Sequence, residues 1–212
     1  MSKHGTQTHR NQAGMERNTS LFSPLNMARM AILSAMASIL FLMEIPVGMP
    51  FYKLDLSNIP VLLGAFAMGP VQGALILLIK SLIGLTHSGT AGIGELADFL
   101  MGLMHILPAA LIYQRNRTRK TALTGMLLGI VCLVAGSVLV NKEIMLPFYM
   151  GQFHLTMEEL IQTANWGGVD SEWKLLLLIT APFNLLKGIV ISTLTFVLYK
   201  PLSPLLHERN RK

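Results

Sequence analysis

Between Met27 and Tyr199 the chain is cut into six apolar runs by short polar or Gly/Pro-bearing breaks, and that division restricts the fold more than any motif does. A helix rises about 1.5 Å per residue, so about 20 apolar residues carry it across a bilayer. The runs are Met27 to Leu42, the stretch after Asp55 and Ser57-Asn58 that continues to Met68, Val71 to Leu85, Glu95 to Tyr113, Ala122 to Val140, and Leu175 to Tyr199. Glu44, Pro46 and Pro50 end the first run, and Pro46 to Leu54 reads as a loop. Gly69-Pro70 marks a tight turn, and His87 to Gly94 a glycine-rich loop. The second run is short for a crossing and is expected to be tilted or partly buried. Charged residues make up 13% of the chain, where a soluble domain carries about a quarter. The predicted fold class is therefore an all-α membrane protein with six transmembrane helices.

Charge placement orients those helices. The net charge is +6, and the basic residues cluster at Lys3 to Arg29, at Arg115 to Lys120 and at Lys200 to Lys212, each beside an apolar run. That is the positive-inside pattern rather than a nucleic-acid surface. Six crossings put all three clusters and both termini on the cytoplasmic side. Lys53, Lys142 and Lys174 fall on the opposite side, and Lys80 and Lys187 fall within spans. The expected location is the cell membrane, as a multi-pass bacterial plasma-membrane protein. Residues 1–23 form a polar tail without a signal-peptide core, expected to be disordered and cytoplasmic. Residues 24–200 form the transmembrane domain, and 201–212 a basic cytoplasmic tail. Cys132 has no second cysteine to pair with and reads as a small core residue.

Polar side chains inside the oil are the functional candidates. Asn184 and Lys187 lie three apart in the sixth run and share a helix face. An ionisable group there is costly and faces a partner or a cavity, so the pair either glues two helices or lines a pocket for a polar small molecule. Asn141, at the end of the fifth run, offers the same donors and acceptors as Asn184 to the edge of a heterocycle. Tyr52, with Phe51 and Lys53, Phe148 and Tyr149, and Trp166 and Trp173, reads either as an interfacial aromatic belt or as the lid and wall for a flat ring. Glu95, Asp98, Gly102 and His105 form a stripe on the fourth run. Two carboxylates and an imidazole can bind a metal, but no other helix offers a matching set. Glu95 and Asp98 instead sit in a helix first turn and can pair with Lys80 or Lys187. Ala31-Ile-Leu-Ser-Ala35, Gly69 to Gly73 and Gly125 to Gly129 are small-xxx-small motifs, which let helices approach closely. In the long connection from Lys142 to Trp173, Thr156 caps a short helix running to Thr163 with Glu158-Glu159 in its first turn.

No G-x-x-x-x-G-K-[ST], H-E-x-x-H or G-x-S-x-G occurs, so the chain lacks a phosphate-binding loop and the signatures of common membrane hydrolases. A solute binder without its own energy source borrows one from partners.

These residues resemble the substrate-binding S components of energy-coupling factor (ECF) transporters, and within them the riboflavin-specific branch. The resemblance spans nearly all of the chain after the tail. It is carried by Ala31-Ile-Leu-Ser-Ala35, Lys53-Leu-Asp-Leu-Ser-Asn-Ile-Pro60, Gly69-Pro70 with Gly73 and Lys80, Gly94-Glu-Leu-Ala-Asp-Phe-Leu-Met-Gly102, Asn141 with Pro147-Phe-Tyr149, and Pro182-Phe-Asn-Leu-Leu-Lys-Gly188. It implies six helices around a vitamin near the outer face, docked on a membrane T component that carries two ATP-binding subunits. By resemblance Ala31 and Ala35 dock on that T component. Asn141, Asn184 and Lys187 contact the isoalloxazine ring or ribityl chain, and Glu44, Leu54, Asp55 and Glu95 take pocket or loop positions. The chain is then no enzyme, holds no metal or cofactor, and has riboflavin as its transported ligand. The alternatives are an S component for thiamine, pantothenate or another vitamin, an intramembrane metal-dependent enzyme built on Glu95, Asp98 and His105, and an assembly subunit without a ligand.

Overall fold

The structure is a computed structural model that describes residues 23–47, 49–163 and 167–207. The expected disorder of the tail up to residue 22, the position of Trp166 and the basic end from residue 208 lie outside the described residues. Helix α1 (Pro24–Leu42) starts where Ser23 accepts a hydrogen bond from the Asn26 N–H and Pro24 supplies a pre-set φ. Helix α2 (Asn58–Met68) meets α3 (Pro70–Gly84) at Gly69, whose φ of +131° is open to glycine, and Pro70 starts the next helix. Helices α4 (Ile93–Asn116) and α5 (Arg119–Val140) form the most extensive pairing in the bundle. Their turn is closed by Arg117 in the left-handed region and by a reciprocal Thr118–Thr121 capping box.

Among the described residues, five helical stretches are long and apolar enough to cross a membrane: Pro24–Leu42, Pro70–His87, Ile93–Asn116, Arg119–Phe153 and Glu172–Tyr199. The exception among the six runs is α2. Its 11 residues rise about 16 Å, roughly half of a hydrocarbon core. Asn58 to Phe66 are all buried, because α1, α3, α4 and α9 (Ala181–His207) surround it. A helix that is apolar on every side belongs at the centre of a bundle.

Three sequence expectations change. The Pro46–Leu54 segment is not a plain loop. It holds an antiparallel pair, β1 (Ile45–Val47) and β2 (Met49–Leu54), in the register Ile45↔Leu54 and Pro46↔Lys53. The two prolines cost no ladder on a two-stranded ribbon with free edges. The fifth run does not stop at Val140. It continues through a π turn, Asn141–Met145, into α6 (Leu146–Phe153). The sixth run likewise starts with α8 (Glu172–Leu175), opens into a π turn at Leu176–Thr180 and resumes as α9. A proline stands two residues after the end of each π turn: Pro147 and Pro182. Proline removes an N–H and its ring crowds the carbonyl four residues back, and one extra residue in the turn relieves both. Between them α7 (Met157–Thr163) is capped as the sequence suggested, with Thr156 N–H on Glu159 Oε2 at 2.7 Å and Glu159 N–H on Thr156 Oγ1 at 3.3 Å.

The glycine motif on α5 has a definite use. A Cβ on Gly125 would lie 2.6 Å from the Ala109 carbonyl oxygen, and one on Gly129 would collide with the His105 carbonyl. The α4 and α5 backbones therefore touch at these points, which is how small residues hold helices together in lipid. Gly125→Val and Gly129→Val are each expected to destabilise the purified protein by about 1–3 kcal/mol in a detergent unfolding titration. Gly151→Val, at a position with open space around it, serves as the silent control.

Candidate functional site

Four charged side chains meet where α2, α3, α4 and α9 converge. Lys187 Nζ donates to Asp55 Oδ2 at 2.8 Å and to Asp98 Oδ1 at 3.3 Å. Lys80 Nζ donates to the other Asp98 oxygen at 2.6 Å, to Ser57 Oγ at 2.8 Å and to Asn58 Oδ1 at 3.1 Å. Asp55 Oδ1 in turn accepts from the Ser57 N–H at 3.0 Å and from the Ser57 hydroxyl. The chain makes Asp55 a turn residue just before α2, where a short carboxylate reaches the backbone two residues on. Two positive and two negative charges thus cancel inside the bundle, which removes most of the cost of burying any one of them.

Three members of the cluster, Asp55, Asp98 and Lys187, line a cavity of about 980 Å³. Of the residues singled out from the sequence, Glu44, Tyr52, Asp55, Glu95, Asn141, Asn184 and Lys187 line it. Leu54 does not: it is half-buried and sits opposite Ile45 in the hairpin register. Asp98, read from the sequence as a partner for a buried lysine or as part of a metal site with Glu95 and His105, lines the cavity too. Tyr52 arrives through the β hairpin, whose strand bonds its hydroxyl to Thr180 and lays its ring 5.0 Å from that of Phe183. The Glu44–Lys53 ion pair closes the base of the same hairpin. Met145, Leu146, Tyr149, Leu160 and Leu175 supply an apolar wall.

Asn141 and Asn184 are presented in the same way. Each donates one amide N–H to a carbonyl four residues back, Ser137 O at 2.8 Å and Thr180 O at 2.9 Å. Asn141 opens one π turn, and the Thr180 carbonyl that Asn184 uses closes the other, where the wider ring loosens the regular ladder. The second N–H and the Oδ1 of both amides have no hydrogen-bond partner among the described residues. A polar ligand finds there two matched donor–acceptor edges on two different helices.

The trio Glu95, Asp98 and His105 separates. Glu95 accepts from Ser88 Oγ at 2.7 Å, Asp98 holds the two lysines, and His105 Nε2 lies 3.1 Å from Ser192 Oγ. No group of three metal-ligating side chains exists among the described residues. The aromatic residues split as well. Tyr52 and Tyr149 line the cavity, whereas Trp173 is exposed and lies 4.6 Å from the Lys142 ammonium. On α1, Ala31 and Ala35 are exposed on one face beside Ile32 and Ile39.

A family model described as the substrate-specific component of ECF transporters matches residues 25–199. The chain belongs to this family. It is a membrane transporter component and not an enzyme. The S component is 30% identical to the riboflavin transporter RibU of Staphylococcus aureus (strain TCH60), over 92% of this chain and 95% of that protein. It is 27% identical to the riboflavin transporter FmnP of Bacillus subtilis (strain 168), over 84% and 92% respectively. A solved structure described under "Structure and mechanism of the S component of a bacterial ECF transporter" superposes with a TM-score of 0.68 at 29% identity, covering 86% of this chain and 97% of that one.

Proposed function

We propose that this S component captures riboflavin in the cavity above the ion cluster and delivers it inward, using the ATP hydrolysis of an energy-coupling module. The observation that carries the reading is the convergence of Asn141, Asn184 and Lys187, each with unused hydrogen-bonding groups, on one cavity with aromatic and methionine walls. A flat ring gains about 25 cal/mol per Å² of apolar surface buried, and its polar edge must be matched or the gain is lost. Kinship with the riboflavin transporters of S. aureus and B. subtilis supports the choice of vitamin. In this reading Asn141, Asn184 and Lys187 contact the ligand, Tyr52 covers it, and Glu44, Asp55 and Glu95 complete the walls.

The topology we infer has six crossings, with α2 and its leading hairpin making the second, both termini cytoplasmic, and the cavity at the outer face. The basic turn at Arg115 to Lys120 supports it. Asp98 and Tyr113 are separated by about 22 Å along α4, so the cavity lies at the far end of the bundle from that turn. The exposed α1 face with Ala31 and Ala35 is assigned to docking on a transmembrane T component that carries two ATP-binding subunits in the bacterial plasma membrane.

Titration of the purified chain with riboflavin, read by quenching of flavin fluorescence, tests the function. Saturable binding that thiamine and pantothenate do not displace is expected. Asn141→Ala and Asn184→Ala are each expected to weaken it by about 1 kcal/mol. Saturable binding of thiamine or pantothenate without riboflavin binding would transfer the fold to another vitamin.

A further inference from the structure

Counting donors separates the two buried lysines. An ammonium has three N–H groups. Lys80 uses all three, on Ser57 Oγ, Asn58 Oδ1 and Asp98 Oδ2, and the Phe41 ring lies 4.8 Å from its nitrogen. It is fully buried and takes no part in the cavity wall. Lys187 uses two, on Asp55 and Asp98, lines the cavity and keeps one. Asp98 is the only side chain among the described residues that binds both, with a different oxygen for each.

We propose that Asp98 is a positioning residue for ligand binding: anchored through one oxygen to the saturated Lys80, it uses the other to set the Lys187 ammonium so that its third N–H meets an acceptor in the cavity. This deepens the riboflavin reading and rests on it. Lys80 then has no ligand contact. Its three fixed acceptors and the Phe41 ring hold it still, and it holds Asp98. Charge decides the kind of ligand group. Asp55 and Asp98 already neutralise the two lysines, so Lys187 has a proton to offer and no net charge to match. The ligand atom it meets is a neutral carbonyl or hydroxyl oxygen. A carboxylate or phosphate placed there would face two carboxylates across the same nitrogen.

The test is a double-mutant cycle on the purified full chain, with riboflavin as the probe and fluorescence quenching as the readout. Asp98→Asn keeps the shape and removes the charge that holds Lys187. In the native background it is expected to weaken binding about tenfold. In a Lys187→Met background it is expected to change affinity less than about twofold, since the group it positions is gone. Asp98→Glu keeps the charge and should recover part of the affinity with Lys187 present and none with Met in its place. A purely structural Asp98 would cost the same factor in both backgrounds, and that additivity overturns the proposal, as does unchanged affinity in Asp98→Asn. Should Asp98→Asn not yield folded protein, the Asp98→Glu pair decides by the same criterion. If the native chain itself does not bind riboflavin, the ligand reading falls. If it binds and the cycle is additive, only the positioning role falls.

Discussion

Lys187→Met is expected to lower riboflavin affinity about 10- to 100-fold, the loss of one hydrogen bond from a charged donor worth about 1.5–3 kcal/mol. The methionine fills the stem of the lysine but supplies no N–H. Asp55 and Asp98 are then left at the cavity with Lys80 alone, and Lys80 has no donor to spare. The measurement is again flavin fluorescence quenching with the purified protein. An affinity within twofold of the native chain would remove Lys187 from the ligand contacts and leave it as helix glue.

Asp55→Ala acts on the fold before it acts on the ligand. Asp55 is 3% exposed and accepts from Lys187 and from both the N–H and the hydroxyl of Ser57. Its removal strands a buried ammonium and two neutral donors. Breaking a buried ion pair from one side costs about 3–5 kcal/mol, and that loss is expected here in a denaturant titration of the detergent-solubilised protein. The double variant Asp55→Ala/Lys187→Met should be less destabilised than the sum of its parts, because the stranded charge leaves with its partner. A single variant as stable as the native chain would mean that Asp98 and solvent carry Lys187 unaided.

These two residues also show how far a linear reading reaches. Lys187 stood out because an ammonium in an apolar run is expensive, and Asn184 because it shares its face. That cost left two readings, helix glue or a pocket wall, and packing places both side chains on a cavity. The partner that makes the cost bearable lies 132 residues away at Asp55, and the other 89 residues away at Asp98. Glu95 and Asp98 looked equivalent in the sequence, three apart at the start of one helix. Only Asp98 reaches the lysines, while Glu95 turns to the Ser88 and Thr90 hydroxyls.

The π turns had a signal that was passed over. Pro182 lies inside the sixth apolar run and Pro147 just past the fifth, and a proline within a helix must bend or widen it. Ending the fifth run at Val140, with Pro147 in the polar connection, hid the continuation to Phe153. The hairpin at Ile45–Leu54 had a weaker signal, since two prolines in ten residues argue against a strand in isolation. It forms because the Tyr52 hydroxyl bonds Thr180, the Tyr52 ring packs near Phe183 and Lys53 pairs with Glu44.

From run length and charge alone it follows that this chain lives in a bilayer, that Gly69-Pro70 and the Arg115–Lys120 stretch are turns, and which few polar groups are too costly to face lipid. Those are local properties: run length, a proline or glycine at a boundary, a charge surrounded by oil. Which of those groups meet, and which keep a free donor for a guest, was decided only by packing α2, α3, α4 and α9 around a common point. Hydrogen bonds act over about 3 Å, and no spacing along the chain encodes a distance that short between residues a hundred positions apart.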